Sequence, residues 1–196
     1  MARQTTGKQG RQSPLTNAMQ TAIDSFLRQA MFTLPGKIST FDAGTQLAQV
    51  EIGINRLTAD GESRPYAIIE GVPVQFPGDN EWFLFHQITP GETEGLIHFS
   101  QRAIDTWLDQ GGPVAPHEAR AWSAEDAFFA PGYRSKPGAI PTLPEEGAGI
   151  SNYDGSVVIH AQADGTILLD NGAASLSLGG DGMVKMTGAQ FDWESS

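Results

Sequence analysis

Four histidines, His86, His98, His117 and His160, are the only imidazoles in a chain that has no cysteine. Neither HExxH nor HxH spacing occurs among them, so no zinc or iron site is expected, and each imidazole reads as structural. Carboxylates are plentiful, in pairs such as Glu92/Glu94, Asp105/Asp109, Glu125/Asp126 and Glu145/Glu146. Glycosidase-type chemistry needs two of them facing across a cleft, whereas adjacent acids on loops are ordinarily solvated. GxSxG, P-loop and GxGxxG patterns are missing, and the lack of cysteine removes a thiol nucleophile. Asp-Gly pairs could belong to calcium-binding repeats, but their nonapeptide pattern is not sustained, and turn chemistry accounts for them. The residues therefore predict no catalytic group, no metal and no cofactor.

Aromatic residues cluster as Trp82, Phe83, Phe85 and Phe99, then as Trp107, Trp122, Phe128 and Phe129. Base-stacking platforms need cations beside them. Residues 80–99 contain no Lys or Arg, and the 196-residue chain has 23 acids against 12 Lys and Arg, a net charge of −11. A surface this acidic repels phosphate backbones, so a nucleic-acid partner is not expected and the aromatics read as packing or interface residues. No apolar run approaches the length of a membrane span, and the N-terminus lacks the apolar core of a signal peptide. The expectation is synthesis in a cytoplasm.

The elements that would position these residues fall into four stretches. Residues 1–33 hold a basic arm, with Arg3, Lys8 and Arg11, followed by a helix capped by Ser13 with Pro14 at its first position. Its stripe of Leu15, Met19, Ile23, Phe26 and Leu27 recurs at helical spacing, and Pro35-Gly36 is read as its end. In residues 34–112 the period changes to two: Ala48, Val50, Ile52 and Ile54 alternate with polar neighbours. Further strands are read at 37–42, 66–76, 82–89 and 94–99. Five strands in about sixty residues suit a small closed barrel of the oligonucleotide/oligosaccharide-binding (OB) fold, followed by a short helix ended by Gly111-Gly112. Residues 113–149, rich in proline, read as an extended connector.

Residues 150–196 alternate short aliphatic runs with turns at Asp154-Gly155, Asp164-Gly165, Asn171-Gly172 and Gly179 to Gly182. Each run supplies few apolar side chains: Val157 and Ile159, Ile167 and Leu169, Leu176 and Leu178, Val184 and Met186. So small an apolar mass cannot offset the chain entropy of folding alone. The segment is therefore expected to share its interior with other copies, as an intertwined three-chain β-helical stalk whose core is those eight residues. The predicted fold class is mainly β: an N-terminal helix, an OB-fold barrel and a trimeric β-helix.

Gly95-Leu-Ile-His-Phe-Ser100, Ile104-Asp105, Trp107-Leu108, Gly111-Gly112, Arg120, Ser123, Asp126-Ala127 and Pro131-Gly132 appear in an order that resembles a known family. It is the N-terminal domain of central spike proteins from contractile-tailed phage baseplates, the membrane-piercing, baseplate assembly protein V-like group. Leu34-Pro-Gly-x-Ile38 is similar to that family as well. The resemblance implies a structural virion protein of the tail baseplate, a homotrimer beneath a hub protein, driven through the host outer membrane when the sheath contracts. It makes Leu15, Met19, Ile23, Phe26 and Leu27 candidates for docking to the hub. Such spikes often end in an HxH iron site, which this sequence lacks; Phe191 and Trp193 would cap the tip, or a separate tip protein would supply the point. Rival readings are a soluble OB-fold module for single-stranded nucleic acid or saccharide, and a cell-wall-degrading tail component.

Overall fold

The computed structural model describes residues 13–58, 60–79 and 81–190. The chain divides into two compact units, Met1–Arg134 and Ser135–Ser196. The basic arm before Ser13 and the tip residues Phe191 and Trp193 lie outside the described residues.

Helix α1 spans Pro14–Gln29. Ser13 caps it, its Oγ accepting the Thr16 N–H at 3.2 Å, and Pro14 needs no partner because its position lacks an N–H to satisfy. The helix stops at Ala30, whose N–H reaches the Phe26 carbonyl at 2.8 Å. Pro35-Gly36 do not end it, as the sequence suggested: both lie inside strand β1, Thr33–Asp42, where extended pairing has already begun.

Five antiparallel strands form the main sheet, in the order β5-β2-β1-β6-β7, with β2 at Leu47–Ile52, β5 at Ile69–Pro73, β6 at Glu94–Phe99 and β7 at Ala127–Pro131. A two-stranded hairpin of β3, Arg56–Leu57, and β4, Ser63–Arg64, lies between β2 and β5 in sequence. Register shifts between Ile38 and Thr40 and between Ala48 and Val50 act as bulges, which bend a sheet and increase its twist. The result is a curved half-barrel. Its two outer strands are linked by a parallel bridge between Val74 and Phe129 and by the Gln75 N–H to the Phe129 carbonyl at 2.9 Å.

Two sequence expectations are corrected here. Residues 82–89 are not a strand: Trp82, Phe83, Leu84 and Phe85 are consecutive apolar residues with no alternation, and they sit on a projecting turn. The fifth strand is instead β7, drawn from the stretch read as connector, where Ala127, Phe129 and Pro131 do alternate with Phe128 and Ala130. Helix α2, Asp105–Gln110, follows β6, and the Gly111 N–H closes it on the Trp107 carbonyl at 2.9 Å.

Ile38, Val50, Val72, Ile97 and Phe129 are fully enclosed, with Ile52, Ile69, Val74 and Phe99 around them. Ile54, expected to continue the buried row of β2, lies beyond the strand end and is exposed. Two glycines permit the close strand crossing. A Cβ on Gly36 would come within 2.6 Å of Ile97 Cδ1 and 2.7 Å of the Glu51 carbonyl, and one on Gly95 within 2.3 Å of the Ala130 carbonyl. Backbone cannot yield as a side chain can, so Gly95→Ala should cost about 1–3 kcal/mol by overpacking. Urea denaturation of the Gly95→Ala protein measures this, and an unchanged midpoint would contradict it.

The second unit contains a five-stranded meander, β8 at Ala148–Ser151, β9 at Val158–Ala161, β10 at Ile167–Asp170, β11 at Ser175–Leu178 and β12 at Val184–Thr187. Each strand pairs antiparallel with its sequence neighbour. Where the sequence reading had each strand pair with strands of other copies in an intertwined stalk, the five strands pair with their neighbours within one chain, with β8 and β12 at the edges of the sheet. The reason lies in the turns. Asp154, Asp164, Asp170 and Asp181 each accept a backbone N–H two residues on, at 2.7–3.0 Å, which reverses the chain tightly enough for adjacent strands to meet.

Candidate functional site

The acids and histidines singled out in the sequence are spread over turns and strand faces. Asp42, Asp79, Asp154 and Asp164 accept hydrogen bonds from turn N–H or hydroxyl groups, which hold their carboxyls below the usual value and keep them ionised. His86 stacks on Phe76, His98 Nδ1 lies 3.3 Å from Thr33 Oγ1, and His160 Nε2 lies 2.9 Å from the Glu146 carbonyl. Among the described residues no group of three His, Asp or Glu could hold a metal ion, and no helix is long and apolar enough to cross a membrane.

What the first unit does assemble is an ion-pair knot. Asp126 has no solvent exposure. Its two oxygens accept Arg120 Nε at 2.8 Å, Arg120 Nη2 at 2.9 Å and the Ile104 N–H at 3.1 Å. The same guanidinium reaches Asp105 at 2.7 Å, Glu125 at 3.0 Å and Glu118. Burial alone would raise the Asp126 pKa, but the Arg120 hydrogen bonds, the Ile104 N–H and the guanidinium charge outweigh it and hold the carboxyl low. Arg120 is raised in turn, chiefly by its bond to Asp126. The knot joins the end of β6, where the Ser100 N–H meets the Asp126 carbonyl at 2.7 Å, to the start of α2 and the start of β7. Ser100, Ile104, Asp105, Arg120 and Asp126, scattered over 27 residues of sequence, thus form one structural unit. Spacing alone did not give Arg120 this role; an arginine flanked by Glu118, Glu125 and Asp126 was the available signal.

Among the described residues, three groups of exposed apolar side chains stand out. On α1, Leu15, Met19, Ile23, Phe26 and Leu27 are 51–70% exposed. The helix is fixed at its C-terminal end, where Phe26 meets the Trp122 ring edge-on at 5.7 Å, Phe32 lies 6.1 Å away, and the Met31 N–H bonds to the Trp122 carbonyl. The second surface is the aromatic finger. Asp79 accepts the Glu81 and Trp82 N–H groups at 2.8 Å, its own N–H returns to the Trp82 carbonyl, and the Leu84 N–H reaches Pro77, so the turn is set by its own backbone. Trp82, Phe83, Leu84 and Phe85 then stand 63–82% exposed.

The third surface is one face of the meander. Register aligns Ile150, Ile159, Leu169, Leu176 and Met186 in one row across all five strands, and Ala148, Ala161, Ile167, Leu178 and Val184 in the next. Residues directly opposite share a face, so seven of the eight expected core residues are brought together, and Val157 continues the face just before β9. Apart from Leu176, which is partly buried, the large side chains among them are 39–64% exposed.

The sequence model of the family described as phage protein Gp138 N-terminal domain matches residues 34–132. The match runs from the second residue of β1 to just past β7, so it covers the half-barrel and its ion-pair knot. The chain belongs to this family, and is accordingly a phage structural protein of the baseplate type. No curated protein matches it at a significant level.

Removing the guanidinium strands a fully buried carboxylate, so Arg120→Ala should destabilise the first unit by roughly 3–5 kcal/mol. Arg120→Lys should recover only part of this, because an ammonium cannot serve both Asp126 oxygens in a planar fork. Denaturant unfolding followed by tryptophan fluorescence measures both. The lowered Asp126 pKa fixes the pH dependence: its contribution is fully present above the ordinary carboxylate value and is lost as pH falls through the folded value. Stability should therefore be flat near neutrality and decline below about pH 4.

Proposed function

We propose that this protein is the central spike of a contractile phage tail baseplate, and that three copies form a shaft driven through the host outer membrane on sheath contraction. The observation that carries the reading is the aliphatic face of the second unit. Ten apolar residues in register lie on one side of the sheet, whereas the other side carries Gly149, His160, Asp170, Ser177 and Lys185, with Val158 and Leu168 as its only aliphatics within the strands. Each half-exposed aliphatic forgoes on the order of 1 kcal/mol of burial. Three such faces turned inward give a dry prism in which each chain supplies one wall, in place of the interwoven shaft read from sequence. Membership of the phage family covers the first unit and supports the virion setting.

Under this reading the protein is not an enzyme and works by stiffness. Strands paired within each wall, with the apolar faces of three walls locked together, resist bending under axial load. Residues 145–196 carry eight acids against Lys185, which keeps the shaft soluble and repels anionic cell surfaces. The basic arm and helix α1, through Leu15, Met19, Ile23, Phe26 and Leu27, supply the contact with a hub protein, and a separate tip protein, or Phe191 and Trp193, provides the point.

Native mass spectrometry of the full chain is expected to give three times the 21.0 kDa chain mass. Leu169→Asp places a charge at the centre of the face and should release single chains whose first unit unfolds at an unchanged denaturant concentration. A folded 21.0 kDa species from the unaltered chain would overturn the proposal.

A further inference from the structure

We propose that helix α1 and the segment from Arg120 to Asp126 form one two-position switch, in which docking of the helix and closure of the ion-pair knot are coupled through Trp122. Every residue involved lies in the first unit, so the switch operates whether the chain stands alone or is one of three.

Trp122 occupies a backbone region that suits it badly. Its φ is +49°, in the left-handed region, where a residue with a Cβ is disfavoured roughly tenfold. Among the described residues only Gln46 and Trp122 adopt a positive φ without being glycine. Such strain persists only where surrounding contacts over-determine it. Two sets of contacts do so. From the half-barrel, the Ser100 carbonyl accepts the Trp122 N–H at 3.1 Å. From the helix and its link, the Met31 N–H donates to the Trp122 carbonyl at 3.2 Å, and the rings of Phe26 and Phe32 lie 5.7 and 6.1 Å from the indole. One hydrogen bond or one aromatic pair shifts a population by a factor of about two to ten. The Ser100 bond by itself therefore leaves the strained and relaxed backbones about balanced, and the contacts made by α1 and its link decide for the strained one.

The helix is free to move as a unit. Every described side chain from Pro14 to Leu27 is exposed, so release uncovers little new apolar surface. Its last turn leads through Ala30 and Met31 to Phe32, whose carbonyl accepts the Phe99 N–H at 3.0 Å, so the pivot is a link of two residues. Trp122 stands two residues after Arg120 and four before Asp126. Ser100, which holds the Trp122 N–H, donates its own N–H to the Asp126 carbonyl. Relaxation of Trp122 on release therefore pulls on both partners of the knot at once. The coupling is reciprocal: a partner that lifts α1 off the indole loosens the segment around Asp126, and a tighter knot seats the helix.

Because the chain has no cysteine, Met19→Cys and Glu92→Cys place two nitroxides on the full-length protein. Refolding with a large excess of unlabelled chain confines double electron–electron resonance to distances within one chain. With Trp122 unaltered, one dominant distance is expected. Trp122→Ala and Trp122→Gly both delete the ring, but glycine accepts a positive φ, so the ratio of docked to released helix should be about fivefold larger in the glycine variant. Equal ratios in those two variants, or a single shared distance in all three proteins, overturns the switch. Phe26→Ala with Phe32→Ala leaves Trp122 and the knot in place, and reads the coupling even where the Trp122 variants fail to fold. Hydrogen exchange at residues 100–104 and 122–126 should then quicken about fivefold or more, with β1 and β2 unchanged. Unchanged exchange at 100–104 and 122–126, or an equal rise across β1 and β2, overturns it as well.

Discussion

A carboxylate with no access to water survives in this fold because one guanidinium meets it through two nitrogens. The segments that join β6, α2 and β7 depend on that pair. Asp126 cannot leave its place without an uncompensated charge in the interior. It therefore fixes the end of β6 through the Ser100 N–H, the entry to α2 through the Ile104 N–H, and the first residue of β7, Ala127, which follows it directly. Trp122 lies in the short path between Arg120 and Asp126, and its ring holds the base of α1. The ion pair thus sets the position of the helix as well as the closure of the half-barrel.

The surfaces left open are of one kind. An apolar stripe on α1, an apolar finger and an apolar sheet face are each held rigidly by polar bonds: the Ser13 cap, the Asp79 turn and the series of Asp-Gly reversals. Polar groups spent on local backbone leave the aliphatic and aromatic groups facing outward.

Much of this was legible along the chain. Ser13-Pro14 marked the helix start, the alternation through Ala48, Val50 and Ile52 marked β2, and the Asp-Gly rhythm after residue 150 marked the turns of a β-structure poor in core. The stretch 82–89 was misread because strand propensity is high for aromatics wherever they stand, while its lack of alternation was the better guide. β7 was hidden by the prolines around it, and Asp126 looked like one more loop acid because burial is a property of the fold, not of the residue.

Residue types and their spacing by themselves determined the local elements, the acidic balance of the chain, and the shortage of apolar mass in the final segment. These are short-range or additive properties, readable from neighbours. Only the tertiary structure decided which distant segment became the fifth strand, which acid met Arg120, and that successive tail strands pair with one another within the chain. Those outcomes turn on competition among long-range pairings, each involving residues far apart in sequence, and the winner is set by which arrangement buries Ile97 and Phe129 while leaving no charge alone.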